Sequence, residues 1–329
     1  MLKQTTKELL QNSKNLLAFS AGVDSTALLF LLLENEIPFD IAIVDYSLRE
    51  QSKEEVSYAK ELAKRYGFAY FVKNAPDIKS NFEATAREVR YDFFEELISS
   101  RNYENLLTAH HLGDKLEWML MQFCKGAGCV ELCGMSEIEL REEYKLIRPL
   151  LHLDKTELLA YLDKNNIKYF IDASNSDEKY SRNIFRKKYA QPLLAEYRSG
   201  IEKSFEYLET DKAALIQEEK ILKKNALACF RKGSSRSNIY HIDKYLKSLG
   251  HMISKEQRQL LREQKSLVVG RKYIVAEAGE YICIAPYIKK EKLAKEFKEK
   301  MRLLKVDPKL RGYLSEDVEA VEFLSLLLA

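Results

Sequence analysis

From Asn15 to Asn165 the chain repeats one pattern: a short apolar stretch, a few small or polar residues, then a segment with helical spacing. The apolar stretches are 15–19, 39–44, 68–73, 105–109 and 145–150. Helical segments follow at about 26–34, 52–66, 81–99, 113–123 and, behind an Asp154 cap, up to Asn165. Val56, Ala59, Leu62, Ala63 and Tyr66 show the helical spacing, and Gly67 closes that helix. Asn81 reads as a cap for the third helix, with Glu83 near its first turn. Strands separated by helices pair in parallel through right-handed crossovers, and helices then cover both faces. The pattern predicts an α/β fold with a doubly wound, parallel, five-stranded sheet.

That domain is expected over 1–198. A polar linker helix is expected over 199–225, and a smaller C-terminal α+β/helical domain over 226–329, with strands at 265–270, 271–277 and 281–285 and a charged helix at 289–304. The net charge of +3 conceals an asymmetry. Residues 220–311 carry 24 Lys and Arg against 9 Asp and Glu, while residues 1–200 are mildly acidic. A basic half joined to an acidic one suits a polyanionic partner, and a solvated lysine-rich surface is the plainer alternative. The longest apolar run, Ala27 to Leu33, is far short of the ~20 residues that span a bilayer. A soluble cytoplasmic protein with no membrane partner is expected. Of the five cysteines, Cys124, Cys129 and Cys133 cluster, but no CxxC pair occurs, so all five read as reduced thiols rather than metal ligands.

The most specific local feature is Ser20-Ala-Gly-Val-Asp-Ser25-Thr26, between a strand and a helix. Small residues there let backbone N–H groups face an anion. The helix start adds its positive end, and Ser20, Ser25 and Thr26 add hydroxyl donors. The loop is neither GK[ST] nor GxGxxG. Asp24 would repel phosphate unless a cation bridges them, and Mg²⁺ is the natural choice. A tight turn with Asp24 and Ser25 capping the helix is the structural alternative. Asp45 and Ser47 follow the second strand; His110, His111 and Asp114 follow the fourth. In doubly wound folds, ligands sit beyond these strand ends.

The loop resembles the SGGxDS signature of PP-loop (N-type) ATP pyrophosphatases. The segments 44–52 (VDYSLREQS), 86–91 (AREVRY), 108–117 (TAHHLGDKLE), 125–128 (KGAG), 147–150 (IRPL), 172–175 (DASN) and 180–186 (YSRNIFR) resemble, in order, those of the tRNA(Ile)-lysidine synthetases. The resemblance covers about residues 15–195. Ala21, Tyr46, Gly113, Lys115, Trp118 and Lys125 depart from that family's pattern.

The resemblance implies an adenine nucleotide alpha hydrolase-like fold, with ATP, L-lysine and an isoleucine tRNA bearing a CAU anticodon as substrates, and Mg²⁺ as cofactor. The wobble cytidine would become lysidine. Ser20, Ala21, Gly22, Val23, Asp24, Ser25, Asp45 and Arg87 are then the expected ATP contacts, with Asp24 on the metal. Asp24, His110, Asp114 and Glu117 are the expected catalytic residues, the last two holding the lysine ammonium or metal. Arg90, Arg182, Asn183, Arg186, Lys220, Lys223, Lys224 and Arg231 are the expected tRNA contacts. Each has a plainer reading as a surface charge or helix cap. A homodimer is an admissible assembly. Rival readings are a tRNA thiolase, which the missing CxxC disfavours, an inactive RNA-binding protein and a nucleotide sensor.

Overall fold

The computed structural model describes residues 1–46, 50–78, 82–171, 181–290 and 292–328. Ser47, the Asn81 cap, Glu83's side chain, the 172–175 motif and Tyr180 lie outside the described residues. The chain forms two compact units, Met1–Glu209 and Thr210–Ala329.

The first unit opens with α1 (Gln4–Gln11), β1 (Asn15–Ala18), α2 (Val23–Glu34), β2 (Phe39–Asp45), α3 (Glu50–Tyr66), β3 (Tyr70–Asn74) and α4 (Phe82–Arg101). It continues with β4 (Asn105–Leu107), α5 (Leu112–Phe123), α6 (Cys129–Leu132), β5 (Ile138–Leu140), β6 (Lys145–Ile147), α7 (Lys155–Lys164) and α8 (Ser181–Phe185). A π-helical turn, Arg186–Ala190, leads into α9 (Gln191–Leu215), which is interrupted at Tyr197. The strand order is β3-β2-β1-β4-β6-β5. The five expected parallel strands are present, and β5 adds an antiparallel edge beside β6.

Alternate side chains of each strand serve opposite faces. Leu16, Ala42, Leu106 and Leu146 meet Phe93, Phe94, Leu97 and Ile98 of α4 on one side. Leu17, Ile41, Ile43, Leu107 and Ile147 meet the apolar α2, with α3 and α7, on the other. Each fully buried Leu or Ile contributes about 1.5–3 kcal/mol. The order reverses between β1 and β4: the chain leaves β1 toward β2 and returns past it to β4. That switch opens a crevice at the carboxyl ends of these two strands.

The second unit has a five-stranded antiparallel sheet. Its strands are β7 (Leu222–Lys224), β8 (Leu227–Arg231), β9 (Ser266–Val269), β10 (Tyr273–Ala278) and β11 (Tyr281–Pro286), ordered β7-β8-β11-β10-β9. On one face lie α10 (Ser235–Ser248) and α11 (Lys255–Glu263), packed through Ile242, Tyr245, Leu246 and Leu261. On the other lie α12 (Lys295–Leu303), α13 (Arg311–Leu314) and α14 (Val318–Leu328), packed through Met301, Leu314 and Leu324. Gly312 is required at its place, since a Cβ there would sit 1.9 Å from the Ile288 carbonyl oxygen.

The expected linker helix over 199–225 is corrected. The helix starts at Gln191 and ends at Leu215, and Leu222–Lys224 is a strand. Asn225 at φ +52° turns β7 into β8 in two residues, and Asn tolerates that left-handed conformation. No described helix is long and apolar enough to cross a membrane.

Candidate active site

The first half of the site is the loop after β1. Helix α2 begins at Val23, earlier than expected, with Gly22 as its cap at φ −73° and ψ 170°. The N–H groups of the first helical turn have no intrahelical acceptor and stay available to an anion. Ser25 Oγ accepts from the Ser20 N–H at 3.2 Å, lies 3.1 Å from Ser20 Oγ and donates to the Gly22 carbonyl at 3.3 Å. These bonds hold the loop in shape. Ala21 is fully buried with φ +57°, and its carbonyl accepts from the Phe170 N–H at 3.0 Å. The departure from glycine is therefore accommodated in the left-handed region that glycine favours.

Asp24 Oδ2 lies 3.8 Å from Lys155 Nζ, at the start of α7. Asp24 Oδ1 and Thr26 Oγ1 are buried with no hydrogen-bond partner among the described residues. A carboxylate with an orphaned buried oxygen, in a loop shaped for phosphate, fits a divalent cation. Lys155 was not foreseen. The available signal was its place beside Asp154, the cap of a helix that packs on α2.

The second half follows β4, the neighbouring strand. Thr108 Oγ1 sits 3.0 Å from His110 Nδ1. Burial pushes His110 down to about 4; Asp114 opposes this, while Arg148, Arg182 and Arg87 reinforce it. The imidazole is thus neutral at pH 7. His111 caps α5, accepting from the Gly113 N–H at 3.0 Å, and Asp114 Oδ2 accepts from the His111 N–H at 3.1 Å. This capping box accounts for His111. Burial would raise Asp114, but His111, His110 and Arg182 outweigh it and hold the carboxyl well below the usual range.

Asp114 and Glu117, three apart on α5, meet Arg182 and Arg186, four apart across α8 and the π-helical turn. Arg182 donates to Glu117 Oε2 at 3.0 Å and to Asp114 Oδ1 at 2.9 Å. Arg186 donates to Glu117 Oε1 at 2.5 Å and to Asp114 Oδ1 at 3.3 Å. The side chain of Glu117 is 2% exposed, while that of Arg182 is 40% exposed. Two residues expected on the lysine and two expected on tRNA therefore form one ion-pair network with its carboxylates buried. Asn183 is buried beside them. Lys115 is also buried, with its ammonium between the Glu209 carboxylate and the Phe205 ring.

Other expected contacts lie at element ends or on outer surfaces. Asp45 ends β2, where its carbonyl accepts from the Ala75 N–H. Arg87 and Arg90 are exposed on α4, and Arg87 stacks on Tyr91 at 4.6 Å. Tyr46 donates to the Ala86 carbonyl at 2.8 Å, which ties the end of β2 to α4. In the second unit Lys220 is exposed, Lys223 lies over Tyr245, Lys224 pairs with Glu319 and Arg231 with Glu280. Cys129 and Cys133 both face the Leu208 carbonyl. Among the described residues no group of three or more His, Cys, Asp or Glu is arranged for a metal. A site of one carboxylate plus substrate phosphates would have this sparse protein ligation.

A family model described as the PP-loop domain matches residues 1–193. The tRNA(Ile)-lysidine synthase of Campylobacter jejuni (strain RM1221) is 39% identical over 98% of this chain and 99% of its own length. That of Wolinella succinogenes is 44% identical, covering 93% of this chain and 94% of the relative. Among solved structures, a U34-tRNA thiolase from Methanococcus maripaludis shares the fold with a TM-score of 0.52 and 20% identity, over 68% of this chain and 80% of that one. With a phosphate-type loop at the switch point and near full-length identity of about two residues in five, the chain belongs to the tRNA(Ile)-lysidine synthase family.

Proposed function

We propose that the protein is an ATP-dependent ligase that joins L-lysine to C2 of the wobble cytidine in the CAU anticodon of isoleucine tRNA. One observation carries this reading: the loop over 20–26 and the Asp114–Glu117–Arg182–Arg186 network follow adjacent strands at the same sheet edge. The cytosine O2 attacks the α-phosphate of ATP, and pyrophosphate leaves. The lysine ε-amine, having lost a proton, attacks C2, and AMP departs with the former O2. The product is lysidine.

In this reading Ser20 to Ser25 cradle the pyrophosphate through first-turn N–H groups and hydroxyls, joined by Lys155. Asp24 holds Mg²⁺, which when bound neutralises phosphate charge. His110 stays uncharged and is better suited to hydrogen-bond substrate than to deprotonate an ammonium, because a base near pH 4 is weak. Arg182, the more exposed guanidinium, turns to RNA phosphate and leaves Asp114 Oδ1 to be shared by Arg186 and the amine of lysine. Arg87 and Arg90 meet phosphate from α4. Lys220, Lys223, Lys224 and Arg231 meet the tRNA backbone, with affinity that falls as salt rises. A cytoplasmic location follows from a tRNA substrate.

The test is pyrophosphate release with each RNA in turn. Release that needs both ATP and isoleucine tRNA supports the reading. Release with ATP and an unrelated RNA, at equal rate, would remove the tRNA assignment and leave the PP-loop chemistry.

A further inference from the structure

Trp118 is the only tryptophan of the chain, and it is 47% exposed. Helix α5 has an apolar face of Leu112, Leu116, Met119 and Leu120, which packs on Ala190, Leu194 and Phe205. Trp118 is not part of that face. It stands four residues after Asp114 and next to Glu117, and positions i, i+3 and i+4 of a helix form one stripe. The indole therefore continues the surface on which the two carboxylates meet Arg182 and Arg186. Its placement is fixed from below. Gly134 has φ +59°, and a Cβ there would come within 2.7 Å of Trp118 Cδ1. Backbone at 134 lies directly against the ring, so an exposed aromatic face is held in place before any ligand arrives.

The surrounding charge indicates what that face receives. Asp114 and Glu117 are neutralised by two guanidinium groups. Lys125, just past the end of α5, and Lys187 and Lys188, in the π-helical turn that packs on α5, are exposed. An anchored aromatic plane in cationic surroundings suits an unpaired base of single-stranded RNA, whose phosphates meet the cations while the base stacks. We propose that Trp118 is the stacking platform for an unpaired anticodon-loop base of the RNA substrate. The proposal rests on the tRNA reading above and adds the residue that grips the loop.

Because the chain has one tryptophan, its emission reports this ring alone. The full-length protein is titrated with an end-labelled stem-loop RNA carrying a CAU loop. Label anisotropy gives binding, and tryptophan emission gives contact with the ring. Binding should quench the emission. Trp118→Ala should weaken the Kd on the order of tenfold, as loss of one stacked base does, and Trp118→Phe should restore most of it. The KM for ATP in pyrophosphate release should not move. RNA binding with unchanged emission, and an unchanged Kd for Trp118→Ala, would overturn the platform while leaving the tRNA reading intact. Quenching by L-lysine but not by RNA would assign the ring to the amino acid and also overturn it. No RNA binding by the wild type would refute the tRNA reading and the platform together. The wild-type quenching needs no variant, so a misfolded Trp118→Ala cannot decide the matter.

Discussion

Glu117→Gln removes one charge from the network that joins α5 to α8 and the π-helical turn. Both Glu117 oxygens are engaged, by Arg186 Nε at 2.5 Å and Arg182 Nε at 3.0 Å. Gln keeps one acceptor and turns an NH₂ group toward the other guanidinium, so one bond is lost and two donors face each other. The site is almost closed to water, with side-chain exposures of 2% for Glu117 and 18% for Arg186. Breaking a buried pair by removing one partner costs about 3–5 kcal/mol. Arg182 is partly exposed and can regain water, so the lower end applies, about 3 kcal/mol. For a unit of this size each kcal/mol moves Tm by about 2–4 °C, which gives a fall of about 6–12 °C. Trp118 emission is the assay, because the ring lies on the same helix as the substitution. A cycle with Arg186→Met should show coupling of about 2 kcal/mol or more. A Tm within 2 °C of wild type by this assay, equivalent to about 0.5–1 kcal/mol, would refute the claim that the network is a structural element.

Ala21→Gly sets three effects against one another. Relief of the left-handed conformation gains about 1–2 kcal/mol, loss of one buried methyl costs about 0.8, and added chain freedom in the unfolded state costs about 0.4–1. The sum is near zero, so urea denaturation should show a change under about 1 kcal/mol. A larger loss would mean that the methyl packs more tightly than its burial indicates. His110 makes stability depend on pH. Its value is about 4 when folded, against about 6.5 when free, so the unfolded chain takes up the proton first as pH falls. Stability fully present above pH 6.5 is therefore lost between 6.5 and 4, by up to about 3 kcal/mol, and His110→Gln should flatten that slope in urea melts at pH 7 and pH 5. An unchanged slope would place the imidazole in water. Asp24→Ala should abolish pyrophosphate release while RNA anisotropy is retained; retained turnover would contradict its role beside the phosphates.

Strand and helix order in the first unit was legible because short apolar runs such as Asn15–Ala18 alternate with segments of period 3.6 such as Val56–Tyr66. Boundaries shifted where a cap intervened: Gly22 starts α2 inside the presumed loop, and the turn at Arg148–Leu151 ends β6 at Ile147. Strand β5 was missed because Ile138–Leu140 is three residues long and both of its apolar side chains are exposed, so it has no buried face to read. The candidate site residues could be named, but their pairing could not. Asp114 and Glu117 share a helix face, as do Arg182 and Arg186. Nothing local says that faces more than sixty residues apart meet. The basic half could be counted but not mapped, because Lys224 and Arg231 find their partners, Glu319 and Glu280, across the sheet and helices of the second unit.

The central claim is tested most directly by incubating the protein with ATP, labelled L-lysine and isoleucine tRNA bearing CAU, beside methionine tRNA with the same anticodon. The account predicts label in the isoleucine tRNA alone, dependent on ATP and absent in Asp24→Ala. No label in either RNA, under conditions where pyrophosphate is released, would contradict it.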